Sequence, residues 1–224
     1  MQIFHDLAAY LAQFVDVILH LDTYLNVWIT HFGTGFYALM FLIIFCETGL
    51  VICPFLPGDS LLFALGALTA VDNAFLKLPI LCLTLVCAAV LGDMTNYSIG
   101  RIFGLRAFKN PHSKIFRKAY LDRTNRFYDK HGGRTLIIAR FVPIVRTFAP
   151  FVAGVAQMTF RRFVSFSVVG GLTWVMSITL AGAFFGNLTA VKRNFHVVVV
   201  AIIVISVIPI AIEMWKASKE KSAV

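Results

Sequence analysis

Apolar residues run through this chain in long blocks, and the residues that interrupt them fall into a few clusters. No charge occurs from Gly33 to Cys46; Glu47, Pro54, Pro57 and Asp59 then interrupt before a second apolar run to Val71. Asp72, Asn73 and Lys77 mark a return to water, and the stretch from Leu78 to Gly100 is broken only by Asp93 and Asn96. That stretch is long enough for a bilayer core of about 30 Å. Residues 134–158 are apolar around Arg140 and Arg146, residues 163–191 carry no charge, and 194–212 form a further apolar block. Residues 3–31 read as an amphipathic helix, interrupted by Asp6, His20, Asp22 and His31, that lies in the interface or packs on the bundle.

The pattern predicts an all-α integral membrane protein. An N-terminal amphipathic helix (1–32) precedes a membrane domain (33–190), and a C-terminal transmembrane helix with a basic tail follows (194–224). Within the membrane domain the expected order is a first hairpin at about 33–71, a span at 78–100 and a basic cytoplasmic loop at 101–134. A second hairpin at 134–158 and a span at 163–188 complete it. The composition agrees. Of 224 residues, 59% are hydrophobic and 14% charged, with mean hydropathy +0.82. A soluble domain is nearer 45–50% apolar and about 25% charged. No Lys or Arg precedes Lys77, so the positive region of a cleavable signal peptide is missing.

Charge sets the expected topology. Ten Lys and Arg fall between Arg101 and Arg134, opposed only by Asp122 and Asp129. A basic loop between apolar spans is a cytoplasmic signal, with anionic lipid headgroups, not nucleic acid, as its partner. If 134–158 crossed the membrane once, Arg161, Arg162 and the C-terminal lysines would lie outside. If it dips in and returns, all the basic clusters lie inside. Pro143 and Pro150 are expected to break the helix there, as Pro54 and Pro57 make the tip of the first hairpin. The two hairpins rhyme weakly. FLPGDSLLFALGA stands against FVPIVRTFAPFVAGVA, and GRIFG at 100–104 against GAFFG at 182–186. Entry from opposite sides gives the pattern of an inverted repeat.

Five ionisable residues then fall inside the membrane: Glu47, Asp59, Asp93, Arg140 and Arg146. Unpaired near a helix centre, each costs about 2.5–3.5 kcal/mol. Buried salt bridges that merely fix the bundle are the plainer reading, but a buried pair is weak support for stability. A transport site is the reading favoured by the broken helices, whose exposed ends bind ions and anionic headgroups. Arg140 and Arg146 present planar donors suited to phosphate. Glu47 and Asp59 can compete for them, and can take up protons. Protonation would free the arginines for a phosphate headgroup. Asp93, Asn96, Pro57, Gly58 and Pro143 are candidates for lining the cavity, with helix packing a near rival for Asp93. The six histidines are scattered and no phosphate-binding glycine loop occurs, so neither a metal nor a cofactor is expected. Cys46, Cys53, Cys82 and Cys87 read as small buried hydrophobes, and Trp174 as a packing anchor.

FCETGLVICPFLPGDSLLFALGAL, GDMTNYSIGR, YDKHGGRTLIIARFVPIVRTFAPFVAGVAQM and GGLTW resemble the bacterial DedA family, of the SNARE-associated or VTT-domain group. The resemblance covers about residues 33–190. It implies an inner-membrane lipid transporter, not an enzyme, with two re-entrant hairpins in inverted repeat. It further implies proton-motive-force-linked flipping of a lipid phosphate, most simply undecaprenyl phosphate returned to the cytoplasmic face. The family's functional acids match Glu47 and Asp59, and its arginines match Arg140 and Arg146. Three rivals stay open: a phospholipid scramblase, a membrane-organising protein without transport, and a proton-coupled ion antiporter that leaves the arginines without a task.

Overall fold

The structure is a computed structural model that describes residues 21–50, 58–70, 75–107 and 133–186, together with 188, 197, 198 and 201. Among the described residues all regular structure is helical, in seven helices. The proposed tip residues Pro54 and Pro57 lie outside the described residues, as do residues 1–20 and most of the basic loop and C-terminal block.

Helix α1 (Leu21–Phe32) ends at Gly33, whose φ of 51° is a left-handed conformation that costs glycine little. The Gly33 N–H closes the helix on the Ile29 carbonyl at 2.9 Å. Helix α2 (Gly35–Gly49) and helix α3 (Gly58–Thr69) are apolar but short. At 1.5 Å per residue they extend about 22 and 18 Å, less than a hydrocarbon core of about 30 Å. Helix α4 (Leu78–Ala107) and helix α7 (Phe160–Phe185) are the two elements long and apolar enough to cross. Helix α4 continues past the apolar limit at Gly100, so Arg101 and Arg106 belong to it.

Between α4 and α7 come helix α5 (Arg134–Ala139) and helix α6 (Pro143–Val155). Their break is explained by one proline. Val142 is extended (φ −113°, ψ 109°), because a proline ring disfavours the helical region for the residue before it. Pro143 then occupies the first helical position, where its missing N–H is no loss. Pro150 does not break the helix as expected. It lies buried within α6 and removes only the bond to the Arg146 carbonyl. Such a proline is tolerated in a membrane helix that neighbours hold in place, and α6 lies along α4.

The packing is reciprocal. Helices α2 and α6 lie along α4, while α3 and α5 lie along α7. Two crossings bring backbones into contact through paired glycines. A Cβ at Gly66 would overlap the Thr179 carbonyl, and one at Gly182 the Phe63 carbonyl. The same geometry recurs on the other side: Gly154 faces the Tyr97 carbonyl and Gly100 the Phe151 carbonyl. Close approach at small residues is how helices associate where lipid removes the hydrophobic drive between them. One core cluster, including Phe36, Met40, Leu62 and Leu85, fills the first half, and a second, including Tyr97, Ala153 and Phe163, the other. Leu83, Ile138 and Phe184 face outward as bare apolar surface.

Candidate functional site

The broken helices deliver their charges to one place. Glu47 stands in the last turn of α2, and Asp59 in the first turn of α3. Arg140 closes α5, and Arg146 sits one turn into α6 because Pro143 fixes where that helix begins. Asp93 and Asn96 come from α4, Ser167 and Trp174 from α7.

One guanidinium holds two acids. Arg146 donates through Nη2 to Glu47 Oε1 and through Nη1 to Asp59 Oδ1, the latter at 2.5 Å. The Trp174 indole N–H donates to the same Asp59 oxygen at 2.9 Å. Arg140 makes a separate pair, donating through Nη2 to Asp93 Oδ2. The Ser167 hydroxyl donates to that oxygen too, at 2.5 Å. Trp174 joins the two groups: the Arg146 and Arg140 guanidinium carbons lie 4.9 and 5.8 Å from its ring centroid, within range of a cation–π attraction.

All these groups are buried except Asp59, which is partly exposed. With every member ionised, the three carboxylates exceed the two guanidiniums by one charge. Among the described residues, four atoms of the site are enclosed without a hydrogen-bond partner: Glu47 Oε2, Asn96 Oδ1, Arg140 Nη1 and Arg146 Nε. A cavity of about 10 Å³ is lined by Thr48, Asp93, Arg140, Arg146, Thr147 and Trp174. It has room for about one water.

Two further residues fix the geometry. Gly58 packs against the Glu47 carboxylate so closely that a Cβ would overlap both oxygens. Asn96 donates through Nδ2 to the Thr48 carbonyl at 3.0 Å and the Thr147 carbonyl at 2.7 Å, tying α2 and α6 to α4.

The structure therefore brings together Glu47, Asp59, Asp93, Arg140 and Arg146, with Gly58 and Asn96 beside them; Pro57 lies outside the described residues. The structure gives partners that the sequence left open. Both Glu47 and Asp59 go to Arg146, and Arg140 goes to Asp93. Trp174, expected to be only a packing anchor, hydrogen-bonds an acid and lies against both arginines. Ser167, Thr48 and Thr147 were not singled out by sequence. The available signal was the pair Gly170–Gly171 in a membrane span: those glycines make room for Arg140, a Cβ at Gly171 standing 3.2 Å from its Nη1. Among the described residues no group of His, Cys, Asp and Glu could hold a metal ion.

Known proteins resemble this chain along most of its length. The family model for the VTT domain matches residues 56–184. The chain is 52% identical over 200 residues to the protein DedA of Escherichia coli, covering 89% of this chain and 91% of that protein. It is 42% identical over 178 residues to an uncharacterised membrane protein of Mycobacterium tuberculosis, covering 80% of this chain and 78% of the relative. The inner membrane protein YqjA of Escherichia coli is 38% identical over 152 residues, 67% of this chain and 68% of that protein. No solved structure matches significantly. With a domain match over more than half its length and a relative this similar along most of both chains, the protein belongs to the DedA family of VTT-domain membrane proteins.

Proposed function

We propose that this protein is a transporter that moves a lipid phosphate across a bacterial inner membrane, coupled to protons, and that undecaprenyl phosphate is its natural cargo. One observation carries the reading: a buried arginine of one broken segment, Arg146, is held by two acids of the other, Glu47 and Asp59. A guanidinium offers five donors in a fixed fork suited to phosphate. Glu47 and Asp59 occupy the donors that a headgroup would use. Protonation turns each from a competing anion into a neutral acid, and the headgroup takes its place. The cavity holds about one water, so this arrangement is the closed site, and binding requires the acids to let go.

In this reading α2–α3 and α5–α6 are re-entrant hairpins. The shortness of α2, α3 and α6 supports it, since each falls below the length that spans a bilayer. The twin glycine crossings support an inverted repeat, because leg and span meet in the same geometry on both sides. The basic loop, Arg161, Arg162 and the C-terminal tail face the cytoplasm, by their charge.

The test is movement of a labelled polyprenyl phosphate in vesicles holding only this protein, with and without a pH gradient. Gradient-driven movement is the expected result. Movement that ignores the gradient makes the protein a scramblase, and no movement overturns the transport reading.

A further inference from the structure

The two glycine crossings correspond position by position. On one side Gly66 of α3 meets the Thr179 carbonyl, and Gly182 of α7 meets the Phe63 carbonyl. On the other, Gly154 of α6 meets the Tyr97 carbonyl, and Gly100 of α4 meets the Phe151 carbonyl. Thr179 and Tyr97 therefore hold the same place, each three residues before the glycine of its long helix. At these contacts backbone meets backbone with no side chain between. A small shift of the short helix along the long one meets little steric resistance at either crossing.

What prevents such a shift differs between the two sides. The Tyr97 hydroxyl donates to the Met158 carbonyl, in the turn that follows α6, and its ring stacks on Phe163 with centroids 4.4 Å apart. Asn96, one residue earlier, holds the Thr147 carbonyl at 2.7 Å. So α6 is bolted to α4 near its start and again past its end. On α7 the corresponding residues are Ile178, with no polar group, and Thr179. The Thr179 hydroxyl is fully buried and, among the described residues, has no hydrogen-bond partner. Thr30, Thr48, Thr84, Thr95 and Thr173 all donate to the carbonyl four residues back. An enclosed hydroxyl without a partner works against the packed state, because it gains a bond as soon as the packing loosens. The Trp174 indole does tie α7 to Asp59 in the first turn of α3, but that bond lies inside the cluster that opening must break in any case. Asp59 is also the one partly exposed acid of that cluster, its side chain 18% accessible against 7% or less for the other four ionisable residues.

We propose that the two legs are unequal: α6, carrying Arg146, is the fixed one, and α3, carrying Asp59, is the one that shifts along its long helix to open the site. Tyr97 is the bolt on the fixed side, and the unpartnered Thr179 hydroxyl lowers the cost of loosening the other. Both act as positioning residues. The proposal rests on the translocation reading above and names its moving part. The site opens by carrying an acid off a stationary arginine, so motion is confined to one half of an otherwise repeated arrangement.

The experiment measures spin-label distances by pulsed electron resonance, on the full-length chain with its native cysteines removed, in nanodiscs of phosphatidylethanolamine and phosphatidylglycerol. One label pair spans the α3–α7 crossing, at Leu68 and Phe184, and the other the α4–α6 crossing, at Ile102 and Val155; none of the four side chains is buried. The expected result is a two-peaked or broad distribution for the first pair and a single narrow one for the second. Thr179→Val keeps the shape and removes the hydroxyl, so the displaced population of the first pair falls about fivefold. Tyr97→Phe keeps the ring and removes the bolt, so the second pair broadens. A merely structural role for either hydroxyl changes thermal stability and leaves both distributions as they were. Equal widths in the parent protein, the reverse order of widths, or an unchanged first distribution in Thr179→Val overturns the proposal. If Tyr97→Phe does not insert, the parent and Thr179→Val still decide. The distances are read without cargo, so unequal legs in a protein that moves no labelled polyprenyl phosphate count against the transport reading and not against the asymmetry.

Discussion

Replacing Gly58 by alanine tests whether the Glu47 carboxylate is locked in place. The added methyl would overlap both carboxylate oxygens, and the side chain is the part able to move. Moving it takes Oε1 away from Arg146, while Asp59 keeps its own bond to that guanidinium. A hydrogen bond between charged groups is worth about 1.5–3 kcal/mol. Alanine gains at most about 1 kcal/mol over glycine in helix propensity, and less at the first helical position. The expected net loss is therefore about 1–2 kcal/mol. Thermal unfolding in detergent measures it, beside gradient-driven flux in vesicles, which should fall because the closed site no longer forms. The decisive comparison is the same substitution made in a Glu47→Ala background. If the methyl acts through the carboxylate, Gly58→Ala costs little there, and the two changes are strongly non-additive. Equal costs in both backgrounds would refute the reasoning, since the strain would then lie in the backbone.

Glu47→Gln and Asp59→Asn should insert normally and lose gradient-driven flux; if they act only as salt-bridge partners, abundance falls instead, by the roughly 3–5 kcal/mol of a broken buried pair, and removing Arg146 restores it. Arg140→Lys and Arg146→Lys keep the charge but not the planar fork, so each should lose most complementation in a strain lacking the family, with membrane abundance checked by blot. Gly182→Ala sets a methyl against backbone that cannot swing away, and should destabilise by at least about 1–3 kcal/mol, seen as early thermal unfolding. A single cysteine at position 162, with the native cysteines removed, should resist an impermeant reagent added from the periplasmic side; labelling there would sink the hairpin reading of residues 134–158.

What could be read in the sequence was set by cost. A charge in an apolar block is expensive enough to stand out, so the five ionisable residues of these blocks are visible in the sequence, and so is their near balance of sign. Helical class and the two long elements followed from block length alone. The partnering was not visible, because pairing depends on which helix lies beside which. The contacts between α3 and α7 and between α4 and α6 join segments far apart in the chain. Asp93 looked ambiguous because its partner lies 47 residues away and its helix is otherwise an ordinary span. Trp174 is the packing anchor that its place in an apolar block suggests, buried in the first core cluster, but nothing in that block shows the two guanidiniums that lie against it. Pro150 does not break its helix because a proline's penalty depends on what packs around the helix. The faint rhyme between the halves carried more than its similarity suggested. Gly66, Gly154, Gly100 and Gly182, each in one of the rhyming segments, are the four residues at the two crossings.

Because α3 rests on α7 and α6 on α4, each half of the chain packs one short helix on its own long helix and the other on the long helix of the opposite half, and this bears on how the molecule is made. The ribosome delivers Gly66 long before Gly182. At about 5–20 residues per second, the interval between residues 66 and 182 is roughly 6–23 s. Throughout most of that time Glu47 and Asp59 have been synthesised and Arg146 has not. A newborn first half thus carries two acids into the membrane with no guanidinium to meet them, and a glycine groove with no helix to fill it. It reaches its final state only when the second half arrives and the two interlock. Assembly of this fold is in that sense closer to docking two subunits than to inserting helices one after another.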